Sequence, residues 1–177
     1  MFRNEIAGEN VIRLANGFPI NTFYGYVTDG IFQNWDEVYA HTKENGKLVQ
    51  SNAQPGDIRF KDLNHDGVLD ENDKTWIGNP YPDLMVGLNL GFSYKNIDFT
   101  ANFYGTFGND IFNKTKGLYS GVSGQNGWAG TLQKAWHGEG TSNDIPRLSY
   151  NDLNQNYTRV SSFFVEDGSY MRCKLLQ

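Results

Sequence analysis

Between Leu84 and Phe107 apolar and polar residues alternate with a period of two, the repeat of a strand whose faces meet different surroundings. With Lys95-Asn96 as a two-residue turn, Tyr94 falls opposite Ile97, Phe92 opposite Phe99, Leu90 opposite Ala101, Leu88 opposite Phe103 and Leu84 opposite Phe107. The other face sets Ser93 against Asp98, Gly91 against Thr100, Asn89 against Asn102, Gly87 against Tyr104 and Met85 against Thr106. Eleven of the twelve positions on the first face are apolar or aromatic, against two of ten on the second. One register accounts for both strands. Lys-Asn is not the favoured Asn-Gly, and Asn96 is expected to carry the positive φ that such a turn requires.

Each predicted strand has eleven residues, about 36 Å at roughly 3.3 Å per residue, or about 25 Å when tilted near 45°. That height matches the apolar band of a membrane barrel, whereas strands of soluble sandwiches average about five to six residues. Two further strands are expected over residues 18–32, aromatic and glycine-rich, and 163–174, where Met171 and Cys173 share a face opposite Tyr170, Arg172 and Lys174. Arg172 and Lys174 are expected to face a lumen, and Cys173 to pack rather than react.

The connections alternate in length. Two long ones, residues 33–83 and 108–157, flank the two-residue turn, as in outer-membrane barrels with long outer loops and short periplasmic turns. Within them, Trp35 to Ala40 capped by Asn34 and Leu132 to Trp136 are expected to be short helices, and Gly121 to Trp128 to be irregular.

Composition supports the all-β reading. Twenty Gly and twenty Asn suit turns rather than helical bundles, and 26 aromatic residues are too many for a disordered tail. The longest apolar run is three residues, so no segment suits a membrane helix of about 20. A net charge of −5 without a basic run argues against nucleic acid as a partner. The single Cys173 excludes an internal disulfide framework and a thiolate metal cluster. Residues 1–5 lead into no apolar stretch of the signal-peptide kind, so an exported protein is expected to carry its leader upstream.

One segment carries metal chemistry. Asp62, Asn64 and Asp66 hold positions one, three and five of a twelve-residue calcium-type loop. Gly67 supplies the sharp turn, Val68 a backbone carbonyl, Asp70 the ninth position and Asp73 the closing carboxylate. Its flanks are expected to be extended rather than helical, and its role structural, with Ca2+ as the ion. The alternative is a metal-free loop held by Asx-turns. Asp in place of Glu at the twelfth position leaves bidentate closure to a shorter side chain. No catalytic constellation occurs: His41, His65 and His137 are scattered through predicted loops, and no nucleophile elbow, phosphate loop or His-Glu helix pair is present, so no enzyme is expected. Trp35, Trp76, Trp128 and Trp136 are candidates for sugar stacking or for packing beneath their own loops.

Four stretches, residues 17–33, 55–113, the loop around Ala135-Trp136 and residues 163–174, resemble the C-terminal barrel region of SusC/RagA-type TonB-dependent outer-membrane transporters. The resemblance implies part of a 22-stranded, plugged transmembrane β-barrel in the outer membrane of a Gram-negative bacterium. It further implies import of oligosaccharide or peptide fragments, a SusD-type surface lipoprotein, energy from TonB and contact with outer-membrane lipid. Nothing resembles the plug or the TonB-contacting segment, and Met171-Arg172-Cys173-Lys174-Leu175 departs from the family's R-L-K-N continuation. Residues 1–177 are therefore expected to be an internal fragment supplying four or five strands and two extracellular loops. The rival is a secreted soluble β-sandwich that binds calcium and carbohydrate, with Leu88, Leu90, Phe92 and Phe103 buried beneath a second sheet.

Overall fold

The computed structural model describes residues 5–6, 9–43, 46–118 and 127–177. The hairpin forms as its alternation dictates. Strands β7 (Leu84–Tyr94) and β8 (Ile97–Phe107) pair antiparallel in the expected register at every position from Leu84↔Phe107 to Tyr94↔Ile97. At the turn the left-handed backbone falls on Lys95, φ 53°, and not on Asn96. The ammonium of Lys95 lies 5.2 Å from the centroid of the Tyr94 ring, which gives its side chain a local partner.

Strand β11 (Tyr170–Leu176) joins the other edge of β8, giving a three-stranded antiparallel sheet in the order β11-β8-β7. Among the described residues the other strands are shorter and lie outside this sheet. Residues 163–174 do not form one strand. The chain breaks at Gly168-Ser169, where the Ser169 amide donates to the Asp167 carboxylate and the Gly168 amide to the Asn109 carbonyl. The preceding β10 (Val165–Asp167) pairs instead with β9 (Asp110–Phe112).

Residues 18–32 also differ from expectation. They divide into β3 (Phe23–Tyr26), paired with β6 (Lys74–Gly78), and β4 (Thr28–Ile31), paired with β5 (Ile58–Phe60). The break falls at Val27, and Gly30, at φ 81°, lies within β4 at the register shift between Thr28 and Ile31. The aromatic residues here meet protein and not lipid: Phe23 and Tyr26 enter a core with Ile58, Phe60, Val160 and Phe164. Two-residue strands β1 (Glu5–Ile6) and β2 (Glu9–Asn10) pair with each other.

Helix α1 (Trp35–Ala40) forms as expected, with the Asn34 side chain accepting from the Glu37 amide at 3.0 Å. The later helix lies slightly upstream of its expected place, as α3 (Ala129–Lys134), after the short α2 (Thr115–Leu118). Ala135 and Trp136 leave it because the Trp136 amide donates to the Ile145 carbonyl. Of the expected irregular stretch, residues 121–126 lie outside the described residues.

The two long connections do not fold separately. They pack together with residues 9–32 into one body, the cap, around the fully buried rings of Phe60 and Phe164. A buried polar network crosses it. Asp57 is completely buried and accepts from Arg147 Nε at 2.7 Å and from Asn156 Nδ2 at 2.9 Å, while Asn154 and Gln50 bind each other and the Ile58 carbonyl. All of these residues are polar yet satisfied, as burial requires.

Two predictions follow from this core, read by tryptophan fluorescence during urea unfolding in detergent, since Trp35, Trp76, Trp128 and Trp136 all lie outside the three-stranded sheet. Phe164→Ala should cost about 3–5 kcal/mol, whereas Leu88→Ser in the sheet should leave that transition in place. The second concerns pH. Burial raises the Asp152 carboxyl above its ordinary value, against the amides of Tyr157 and Asn156, which lower it. A carboxyl raised on folding contributes stability below its unfolded value of about 4 and loses it as pH rises through the raised one. Asp152→Asn, which cannot ionise, should flatten the fall in urea midpoint as pH rises above about 4; an unchanged slope would exclude Asp152 as its source.

Candidate functional site

The sheet presents two unlike faces, both open. Leu84, Leu88, Leu90, Phe92, Tyr94 and Ile97 on the apolar face are 43–63% exposed, and no opposing layer of described residues covers them. The second sheet that a soluble sandwich needs is therefore not there to bury this face. Phe92 and Phe99 stack at 5.2 Å across the strands, and the ring of Phe107 lies over Gly105, where an added Cβ would meet it at 3.1 Å. Met171 and Cys173 of β11 pair with Gly105 and Phe103 and so extend the same apolar face; Cys173 is exposed. Among the described residues no helix is long and apolar enough to cross a membrane, which leaves crossing by strands open.

The opposite face is polar and carries the cations expected there. Arg172 pairs with Tyr104, and its guanidinium stands 4.3 Å from the Tyr170 ring centroid. A bulge between Cys173 and Leu175 leaves Lys174 outside the ladder, with its ammonium 5.0 Å from the Tyr104 ring centroid. The bulge also shifts the alternation, bringing Leu175 opposite Asn102 on the polar side. Sequence spacing alone gave the facing of Arg172 and Lys174 but not Tyr104 as the ring beside Lys174, because that contact joins two strands separated by 62 residues, 108 to 169, whereas Tyr170 lies on the same strand as Arg172.

The acidic loop sits at the start of β6, between extended flanks as expected. Its carboxylates are occupied by local amides. The Asp66 amide donates to Asn64 Oδ1 at 2.9 Å, Val68 to Asp66 at 2.8 Å and Asn72 to Asp70 at 2.7 Å, each two residues along in the Asx-turn pattern. The Val68 amide and the Asn64 side chain hold the Asp66 carboxyl below its ordinary value. Gly67, at φ 71°, donates to Asp62. Asp73 is fully buried and closes the loop, accepting from Leu63 at 2.9 Å and from Asp70 at 2.8 Å. Among the described residues no three His, Cys, Asp or Glu side chains converge to hold a metal as placed. One donor nevertheless fits an ion: Asp62 Oδ1 at the first position is buried without a hydrogen-bond partner. His65, in the fourth position at φ 59°, is exposed.

A cleft of about 550 Å³ beside this loop is lined by Asp29, Glu37, His41, Arg59, Lys61 and Asp62, among others. Its cations are already engaged, Arg59 with Asp29 at 3.5 Å and Glu37 at 3.7 Å, and Lys61 with Asp29 at 3.7 Å. His41 is held below its ordinary value by burial and by the Arg59 charge, and its Nε2 is buried without a partner. Thr42 and the Asp29, Glu37 and Asp62 carboxylates belong to the lining, whose charges are largely paired with one another. The candidate tryptophans divide. Trp76 is stacked on Phe18 at 4.2 Å and Trp136 donates to Gln33 at 3.1 Å, both serving the cap's own packing, while Trp35 and Trp128 are 49% and 61% exposed.

No family model matches the chain. It is 32% identical over 163 residues to TonB-dependent receptor P3 of Formosa agariphila, covering 92% of this chain and 15% of that protein. It is 29% identical to TonB-dependent receptor P26 of the same organism, over 98% of this chain and 17% of the relative. With TonB-dependent receptor SusC of Bacteroides thetaiotaomicron it shares 26% identity over 89% of this chain and 13% of the relative. The chain thus spans less than a fifth of the length of these relatives. Its fold matches the structure of the RagAB peptide transporter with a TM-score of 0.58 at 20% identity, over 96% of this chain and 18% of that one. Antiparallel strands with exposed apolar and polar faces, a cap packed from both long connections and this set of relatives agree: the chain belongs to the SusC/RagA-type TonB-dependent receptors, outer-membrane proteins of Gram-negative bacteria.

Proposed function

We propose that this chain is a segment of the wall and outer rim of a nutrient importer that takes up glycan or peptide fragments and catalyses no reaction. The observation that carries the reading is the three-stranded sheet whose apolar face is bare and whose other face is polar. A strip of three strands cannot close, and lipid does not tolerate open strand edges, so further strands complete it, about 22 in a plugged barrel of this type. Residues 33–83 and 108–157 then lie on the extracellular side and the Lys95-Asn96 turn in the periplasm. TonB supplies energy through a plug carried elsewhere in the polypeptide, and a SusD-type lipoprotein covers the outer opening. RagAB, named as a peptide transporter, supports peptide among the cargoes.

The test is made in the full-length transporter. Leu90→Arg, on the apolar face, should cost about 2–4 kcal/mol near the membrane midplane and reduce the heat-modifiable barrel recovered from outer membranes. Asn89→Arg, one residue away on the polar face, should leave barrel recovery near the parent level. Equal loss from both substitutions would remove the lipid assignment. Deletion of the gene should abolish growth on the imported oligosaccharide or peptide, and deletion of TonB should do the same.

We further propose that residues 62–73 take up Ca2+ as a structural ion, with Asp62, Asn64, Asp66, Asp70 and Asp73 side chains and the Val68 carbonyl as donors. The bare Asp62 Oδ1 supports this. Binding would require Asp66, Asp70 and Asp73 oxygens to exchange amide partners for the cation, which screens their mutual repulsion. Terbium, which substitutes for Ca2+, should give luminescence sensitised by Trp76, three residues beyond Asp73. Asp62→Asn should weaken it at least tenfold, and Ca2+ against a chelator should raise the unfolding temperature of the cap. No luminescence and no thermal shift at millimolar ion would leave the Asx-turn loop as the whole account.

A further inference from the structure

We propose that the described parts of the chain on either side of the β7–β8 hairpin form one rigid cap, so that the described residues of neither long connection open as a separate lid over the sheet. The inference goes beyond the transport reading and does not depend on it. Its basis is the number of independent ways in which the two connections are joined through buried groups.

Each connection completes the backbone of the other. In β5 of the first, the Ile58 amide donates to Asn156 Oδ1 at 2.8 Å, and the Ile58 carbonyl accepts from Asn154 Nδ2 at 3.0 Å. Returning from the second, the Arg147 amide donates to the Gly56 carbonyl at 2.7 Å. Further along, Trp136 donates to Gln33 at 3.1 Å, and Asn143 accepts from the Ile31 amide at 3.1 Å. Separating the connections would strand the Ile58 amide and carbonyl, whose bonds to Asn156 and Asn154 are buried, the costly direction of hydrogen-bond loss.

Charge and packing act in the same sense. Asp57 has no exposed surface, and its counter-ion, Arg147, comes from the other connection at 2.7 Å, so a lid motion would leave a buried carboxylate without its cation. Gly56, at φ 89°, packs so closely beneath Trp136 that an added Cβ would stand 2.3 Å from the indole. The hinge end is closed too. The Asp83 amide donates to the Phe107 carbonyl at 3.0 Å, and Asn79 and Asp110 exchange hydrogen bonds at 2.7 and 2.8 Å, so both connections leave the sheet already tied together. A unit joined in this way opens as a whole or not at all.

Hydrogen–deuterium exchange on the full-length transporter in detergent tests this without any cargo. The Ile58 and Phe60 amides in one connection and the Asn156 and Tyr157 amides in the other should show the same protection and lose it together at the same denaturant concentration. Arg147→Ala should raise exchange at both sets by a similar factor, tenfold or more. If that variant does not fold, Tyr157→Phe, which removes only the hydrogen bond to the Pro146 carbonyl, should raise both sets in parallel by a smaller factor. In a Cys173→Ser background, a disulfide between Thr28→Cys and Ser162→Cys, whose hydroxyls now stand 2.9 Å apart, should leave both sets unchanged. One set exchanging at least tenfold faster than the other in the parent, or either substitution loosening one connection alone, would overturn the proposal.

Discussion

The proposed barrel wall sets two solvents on the two sides of a single ribbon, and that constraint bears on everything else in this chain. A strand can meet hydrocarbon on one face and water on the other only if its residues alternate with a period of two, and a slip of one residue would exchange the faces. Between Leu84 and Phe107 the alternation is strict enough to permit one pairing, and that pairing is found at every position. Gly105 is tolerated on the apolar face because the Phe107 ring and the Tyr170 carbonyl cover it. The third strand obeys the same rule as far as Lys174, where a bulge interrupts it and brings Leu175 to the polar side.

The cap answers a different problem. Chain outside the bilayer must bury its own apolar groups, and connections of this length cannot do so one at a time. The solution is a shared core, with Phe60 from one connection and Phe164 from beyond the other, pinned by polar residues that are fully satisfied. Such a body suits the rim position proposed for it.

What could be read in advance follows from range. The hairpin was legible because its information is local, eleven residues each side of a two-residue turn. The helix after Asn34 and the extended flanks of the acidic loop were legible for the same reason. The division of residues 18–32 into two strands was not, since Tyr24 and Trp76, or Ile31 and Ile58, meet only across residues of the first connection. An aromatic, glycine-rich stretch reads alike whether it faces lipid or a small protein core. The polar network was hidden more deeply, because Gln50, Asp57, Asn154 and Asn156 look like surface residues. The only hint was the density of Asn and Asp over residues 151–156, which reads equally well as a turn. At the acidic loop, spacing announced both an ion site and an Asx-turn, and the hydrogen bonds at Asp66 and Asp70 realise the second arrangement while Asp62 keeps a free oxygen for the first.

The central claim is that the face bearing Leu88, Leu90 and Phe92 touches lipid tails. Spin labels placed one at a time at residues 86 to 92 of the full-length transporter in bilayers test it most directly. The account predicts that labels at even positions collide with oxygen dissolved in the membrane, that labels at odd positions collide with a water-soluble nickel complex, and that the two profiles run out of phase with a period of two. Uniformly low accessibility to both reagents at the even positions would mean that protein covers this face, and would contradict it.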